Sequence, residues 1–146
     1  MLLLTGFGSG LAPRAPGTFG SLAALLLWWL LLGELGWPAQ LLVVGIAFGL
    51  GWVLAERAAR RLGIGDDPAI VIDEFAGMWI ALAGATPEPL TLLAGFLIFR
   101  LFDIWKPWPI SVVDRRVHGG LGVMLDDLLA GVFSWPIVAL LAVWLN

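Results

Sequence analysis

Residues 99–123 read FRLFDIWKPWPISVVDRRVHGGLGV. One apolar run ends as this stretch opens, and another begins as it closes. Between them stand Arg100, Asp103, Lys106, Asp114, Arg115 and Arg116, together with His118, the chain's single histidine. These are six charged residues in a sequence that has only 8 basic and 11 acidic ones. Hydrophobic residues make up 60% of the chain. Unpaired charge is costly to bury, so such a cluster must pair internally, face water or hold a ligand. The stretch reads as one wall of a cytoplasm-facing site for a phosphate and a metal ion.

The whole chain, residues 1–146, is expected to form a single domain. Its mean hydropathy of +0.97 and its 13% charged residues do not fit an ordinary soluble domain, in which about 25% of residues are charged. The absence of cysteine excludes disulfides, thiolate metal sites and a cysteine nucleophile. A net charge of −3 argues against a nucleic-acid partner, which calls for a basic surface. Met1 leads into glycine-rich sequence with no basic segment, so no cleavable leader is expected.

Working outward from the charged stretch, Pro107 and Pro109 stop a helix expected over 90–105. After a loop to about residue 122, a further helix is expected over 123–145. It carries Asp126 and Asp127, and Pro136 either kinks or breaks it. Upstream, 85–89 reads as a turn. A helix over 69–84 contains Asp73 and Glu74, with Asp66 or Asp67 before Pro68 as its start signal. Residues 56–68 form a polar segment, 41–55 an apolar run and 33–40 a turn. Residues 5–21 are rich in glycine and proline. They lead into an apolar run over 19–32, whose first turn Thr18 or Ser21 would cap. The expected fold is all-α: a compact multi-helix bundle, read as a polytopic membrane protein with four or five short helices.

Charge placement supports that reading. With a cytoplasmic N-terminus and all runs spanning, Arg14, Arg57, Arg60, Arg61, Arg100, Lys106, Arg115 and Arg116 all fall inside or at inner helix ends, as the positive-inside rule requires. The same arrangement puts Asp73, Glu74, Asp103, Asp126 and Asp127 in one layer, roughly 5–8 Å from the inner helix ends at 1.5 Å rise per residue.

Carboxylates converging from separate helices suit a hard divalent cation such as Mg²⁺, which takes oxygen ligands and binds substrate phosphate. These five acids are the candidate metal ligands and include the general base. Arg14, Arg100, Lys106, Arg115 and Arg116 are candidates for the phosphate charge, since arginine suits bidentate phosphate binding. The helix start at Thr18 would add N–H donors. Asp114 is expected to pair with Arg115 or Arg116, and Glu56 to lie on a solvated face with Arg57, Arg60 and Arg61. His118 is expected to be structural or solvated. A small membrane ion or proton transporter using the same intramembrane acids is the alternative function.

Four stretches, GFGSGLAPRAPGTFGSLAAL, IVIDEFAGMWIAL, FRLFDIWKPWPI and DRRVHGGLGVMLDDLLAG, occur in this order between residues 6 and 131. In them the chain resembles the phosphatidylglycerophosphatase A family. The resemblance implies a Mg²⁺-dependent lipid phosphatase. Its phospholipid substrate would be phosphatidylglycerophosphate, and its products phosphatidylglycerol and phosphate. It also implies a multi-pass protein of the bacterial inner (cytoplasmic) membrane with its active site facing the cytoplasm.

Overall fold

The computed structural model describes residues 1–63 and 67–145. Among these residues the structure is all-helical: α1 (Pro16–Leu27), α2 (Trp37–Leu62), α3 (Ile72–Ala81), α4 (Pro89–Trp105), α5 (Ile110–Arg116) and α6 (Gly119–Leu145). A π-helical turn, Trp28–Leu32, prolongs α1, and a short 3-10 turn, Ser9–Leu11, precedes it.

Helix α3 is the centre of the bundle. It packs against α1, α2, α4 and α6. Phe75, Ala76, Met78 and Ala81 on it are buried, together with Trp28 of the π-turn and Phe99 of α4. The contact with α6 depends on missing side chains. A Cβ on Gly131 would lie 2.2 Å from the backbone oxygen of Gly77, and one on Gly77 would lie 2.5 Å from that of Asp127. The two backbones therefore touch, which only glycine permits at these positions. Trp79 ties α3 to α1 through a hydrogen bond from its indole N–H to the Ala24 carbonyl (2.8 Å).

Several boundaries differ from the sequence reading. The third helix begins at Ile72, not at 69, and runs for 10 residues, about 15 Å at 1.5 Å per residue. That is too short to cross a membrane. The cause is local. Asp67 does not cap the helix. Its side chain accepts the N–H of Ala69 (2.9 Å) and its carbonyl accepts that of Ile70 (2.9 Å), closing a turn. The Val71 N–H then bonds the Leu4 carbonyl (2.8 Å), which draws the strand of chain away from helical geometry. Asp66, the other expected start signal, lies outside the described residues.

Helix α2 continues through 56–62, which the sequence reading assigned to a polar segment, and ends at Gly63 in the left-handed region. The last helix starts at Gly119 and runs unbroken past Pro136. The expected loop before it contains α5. At the start of α1, neither Thr18 nor Ser21 caps the helix. The Ser21 hydroxyl donates instead to the Gly17 carbonyl (2.9 Å).

Two helices, Trp37–Leu62 and Gly119–Leu145, are long and apolar enough to cross a membrane. The outward faces of α1, α2, α4 and α6 carry large apolar side chains, with Leu42, Leu97, Leu140 and Val143 all exposed. Contiguous apolar surface on this scale, with carboxylates inside, suits contact with lipid rather than water.

Candidate active site at the charged end of the bundle

Four elements bring their ends together at one end of the bundle. The N-termini of α1, α3 and α6 meet the C-terminus of α4, and contacts between their side chains fix the arrangement. Glu74 and Asp73 lie in the first turn of α3, Asp103 in the last turn of α4, and Asp126 and Asp127 two turns into α6.

The tightest group is Glu74, Asp103 and Asp127. One oxygen from each lies within 4.8 Å of the others, and the Glu74 and Asp127 side chains are buried. Arg100, one turn before Asp103 on α4, forms an ion pair with Asp103 and approaches Glu74 Oε1 at 3.6 Å. Its guanidinium also reaches the hydroxyls of Ser21 and Thr18, each at 3.5 Å. Helix α1 makes room for this group by carrying glycine. A Cβ on Gly17 would lie 2.3 Å from Glu74 Oε1, and one on Gly20 would lie 2.2 Å from Oε2.

Asp126 belongs to a second, adjoining group. Lys106, the left-handed residue that closes α4, extends its ammonium to Asp126 (2.5 Å) and to Asp114 of α5 (2.6 Å). Asp114 thus pairs with Lys106 rather than with its neighbours Arg115 or Arg116. The Lys106 hydrogen bond holds the Asp114 carboxyl below the ordinary aspartate value, against a smaller upward push from burial. Burial on its own would lower the Lys106 pKa, but the hydrogen bonds it donates to both carboxylates outweigh it and raise the group above ordinary lysine.

An open cavity of about 360 Å³ lies over these groups. Asp73, Glu74 and Asp126 form its acidic floor, and Pro16, Gly17, Asp67, Asp114 and His118 line its sides. Asp103, Asp127, Arg100, Lys106 and Thr18 are not among its described lining residues. Arg14 precedes α1, and Arg115 and Arg116 end α5, all three exposed. The Arg115 side chain bonds the Ser111 carbonyl of its own helix (3.0 Å). The structure therefore gathers the five acids and Arg100, Lys106 and Thr18 into one region, and leaves Arg14, Arg115 and Arg116 exposed and outside the described cavity lining.

Some residues contribute in roles the sequence does not assign them. Ser21 reaches Arg100, and Gly17 and Gly20 admit the Glu74 carboxylate. Their three-residue spacing on one helix face was the available signal. Glu56 does not sit idle on a solvated face. It accepts the Gly120 N–H at 2.8 Å, and Arg60 holds its other oxygen at 2.7 Å. It thereby docks the start of α6 onto α2 and sets the level of Asp126 and Asp127.

The donor set fits a hard cation. Every candidate ligand is a carboxylate oxygen, the type that Mg²⁺ and similar ions take. Glu74 Oε2 and Asp126 Oδ1 are buried without a hydrogen-bond partner. Buried acceptors left in this way normally have a donor or cation to meet them.

Fold and site together define a class of protein: an apolar helical bundle with an acidic, cation-competent centre set just beneath an open polar cavity at one end. Comparison with known proteins makes it specific. The family profile of Phosphatidylglycerophosphatase A matches residues 2–142. The Escherichia coli Phosphatidylglycerophosphatase A is 51% identical over 134 residues, covering 91% of this chain and 77% of that protein. The Haemophilus influenzae Phosphatidylglycerophosphatase A is 41% identical over 145 residues, covering 99% and 89%. A Putative phosphatidylinositol-3-phosphatase of Bacteroides thetaiotaomicron is 40% identical over 151 residues, covering 95% and 91%. No solved structure matches the chain. The chain belongs to the phosphatidylglycerophosphatase A family and is a phosphatase. This sets aside the transporter alternative.

Proposed function

We propose that this protein hydrolyses the terminal phosphomonoester of phosphatidylglycerophosphate, giving phosphatidylglycerol and phosphate, in a Mg²⁺-dependent reaction. The reaction takes place on the cytoplasmic side of a bacterial inner membrane, which the chain crosses several times. The observation that carries this reading is the meeting of Glu74, Asp103 and Asp127 from three helices within 4.8 Å, in a chain whose 51% identical relative is named for this lipid.

Glu74, Asp103 and Asp127 would hold the cation, with Asp73 and Asp126 at the cavity side. When bound, such an ion neutralises phosphate oxygens and lowers the pKa of a coordinated water. The chain's own groups supply the rest. The cavity admits the headgroup phosphate. A carboxylate on its floor, Asp73 or Asp126, accepts the proton of the attacking water. Arg100 fixes Asp103 and Glu74 in place through its fork of N–H donors. Thr18 and Ser21 steady Arg100. The cations at the mouth, Arg14, Arg115 and Arg116, draw in an anionic headgroup.

Sidedness rests on the cations. Arg57, Arg60 and Arg61 lie at the C-terminal end of α2, which Glu56 joins to the site end through Gly120. The remaining cations lie at this same end. The opposite end holds Gln40, which bonds the Leu32 and Leu35 carbonyls and the Gly84 N–H. All positive charge at one end corresponds to a cytoplasmic placement of that end.

The test is phosphate release from phosphatidylglycerophosphate in detergent micelles by the purified protein and by Asp73→Asn, Glu74→Gln, Asp103→Asn, Asp126→Asn and Asp127→Asn. The Glu74 and Asp127 variants are expected to lose more than about 10²-fold in kcat while keeping their helical circular dichroism. Full activity in all five variants would contradict the carboxylate site.

A further inference from the structure

The cavity wall has a chemical imbalance. Among its described lining residues, every polar side chain except one is a carboxylate: Asp67, Asp73, Glu74, Asp114 and Asp126. The exception is His118. Ionised carboxylates only accept hydrogen bonds, whereas imidazole can also donate. The cations closest to the carboxylates are already engaged, and an arginine guanidinium does not give up its proton. Lys106 spans Asp114 and Asp126, Arg100 is held by Asp103 and Glu74, and Arg115 turns back to its own helix. Hydrolysis of an alkyl phosphate expels a poor leaving group, an alkoxide, which needs a proton as it departs. With the carboxylates ionised around a cation, His118 is the one polar lining side chain left to supply it.

We infer that His118 is a catalytic residue that donates a proton to the departing glycerol oxygen. The inference rests on the phosphomonoesterase reading above. The backbone presents the residue for this task. His118 is exposed at the junction of α5 and α6. The next residue, Gly119, takes a positive φ of 74°, and Gly120 is clamped against α2, where a Cβ would lie 2.3 Å from the Glu56 backbone nitrogen. The backbone that carries the imidazole is thus fixed, and His118 lines the same cavity as Pro16 and Gly17 at the start of α1.

The step balances. A bond forms from the water oxygen to phosphorus as the bond from phosphorus to the glycerol oxygen breaks. The water's proton goes to a floor carboxylate, and the imidazolium's proton goes to the glycerol oxygen, which leaves as an alcohol. Solvent returns the carboxylate's proton to the imidazole.

The test compares the full-length protein with His118→Gln and His118→Asn, each checked by circular dichroism, on phosphatidylglycerophosphate in mixed micelles. A parallel series uses an analogue fluorinated beside the ester carbon of the departing glycerol, which leaves more readily without a proton. The variants are expected to lose about 10²–10⁴-fold in kcat on the natural lipid, with KM changed far less. The deficit should shrink by about tenfold or more on the analogue. Activity within about threefold of wild type in both variants, or an equal deficit on the two substrates, overturns the assignment. Should the variants not fold, the wild-type protein decides. With a proton supplied, its kcat is nearly indifferent to fluorination, and a rise of more than about tenfold overturns the role. A wild-type protein that releases no phosphate overturns the phosphatase reading and this inference together, whereas active wild type with active variants overturns His118 alone.

Discussion

Glu74 shows how much a single carboxylate depends on what its neighbours omit. It is buried, faces Arg100 on one side, and has one oxygen with no partner. The space it fills exists because α1 carries glycine at positions 17 and 20. Gly17→Ala would put a methyl group 2.3 Å from Glu74 Oε1. The obstacle is the end of a flexible side chain, so the carboxylate gives way and the helix does not. The expected result is a protein with an unchanged helical spectrum and a kcat lower by on the order of 10²-fold, the usual cost of a misplacement of about 1 Å. Lys106 offers a second test at this scale. Asp114 has a depressed pKa, so its contribution is complete above the ordinary aspartate value of about 3.9 and is lost as pH falls through its lower folded value. Lys106 has a raised pKa, so its contribution is complete below about 10.4 and is lost only as pH rises through its higher folded value. The bridge should therefore remain intact throughout the neutral range. Carboxyl resonances of Asp114 followed by NMR are expected to titrate below those of an exposed aspartate in wild type and to move up in Lys106→Met.

At the level of elements, the helices that carry the acids were legible in sequence because charge within an apolar run is conspicuous and registry follows from helical rise. Asp103 before a Pro-Trp-Pro stop, Asp126 and Asp127 after a glycine run, and Asp73 and Glu74 near a helix start all point to one layer. The structure brings these residues to one end of the bundle. Boundaries were less legible wherever a distant residue decides them. Asp67 before Pro68 has the pattern of a helix start but closes a turn, because the following backbone bonds Leu4. The GGLG run at 119–122 has the composition of a loop, yet it is helix, because Glu56, 64 residues earlier, accepts the Gly120 N–H. Periodicity carries no trace of either bond. The roles of Gly77 and Gly131 were hidden for the same reason, since close backbone approach needs both helices to be seen. Gly131→Ala would press a methyl group to 2.2 Å from a backbone oxygen that cannot swing aside. Forcing α3 and α6 apart is expected to destabilise the protein by about 1–3 kcal/mol, measurable as a lower unfolding midpoint in a detergent-denaturant titration.

At the scale of the whole molecule, polarity is arranged in reverse of a soluble protein. Apolar side chains cover the outside, ion pairs sit at one end inside, and a cavity opens between the helix ends there. In the proposed membrane placement, that plan puts the charged centre within a turn or two of the surface, the depth at which a lipid headgroup is presented. It also explains why the site needs three helices: no single one could present enough carboxylate oxygens to a cation. The central claim is that these oxygens act through a bound divalent ion on a lipid phosphate. The most direct test is phosphate release from phosphatidylglycerophosphate by the purified protein with Mg²⁺, with EDTA, and with Mg²⁺ restored after EDTA. The account predicts release with Mg²⁺, its loss on chelation and its recovery when the ion returns; release that continues undiminished in EDTA would contradict it.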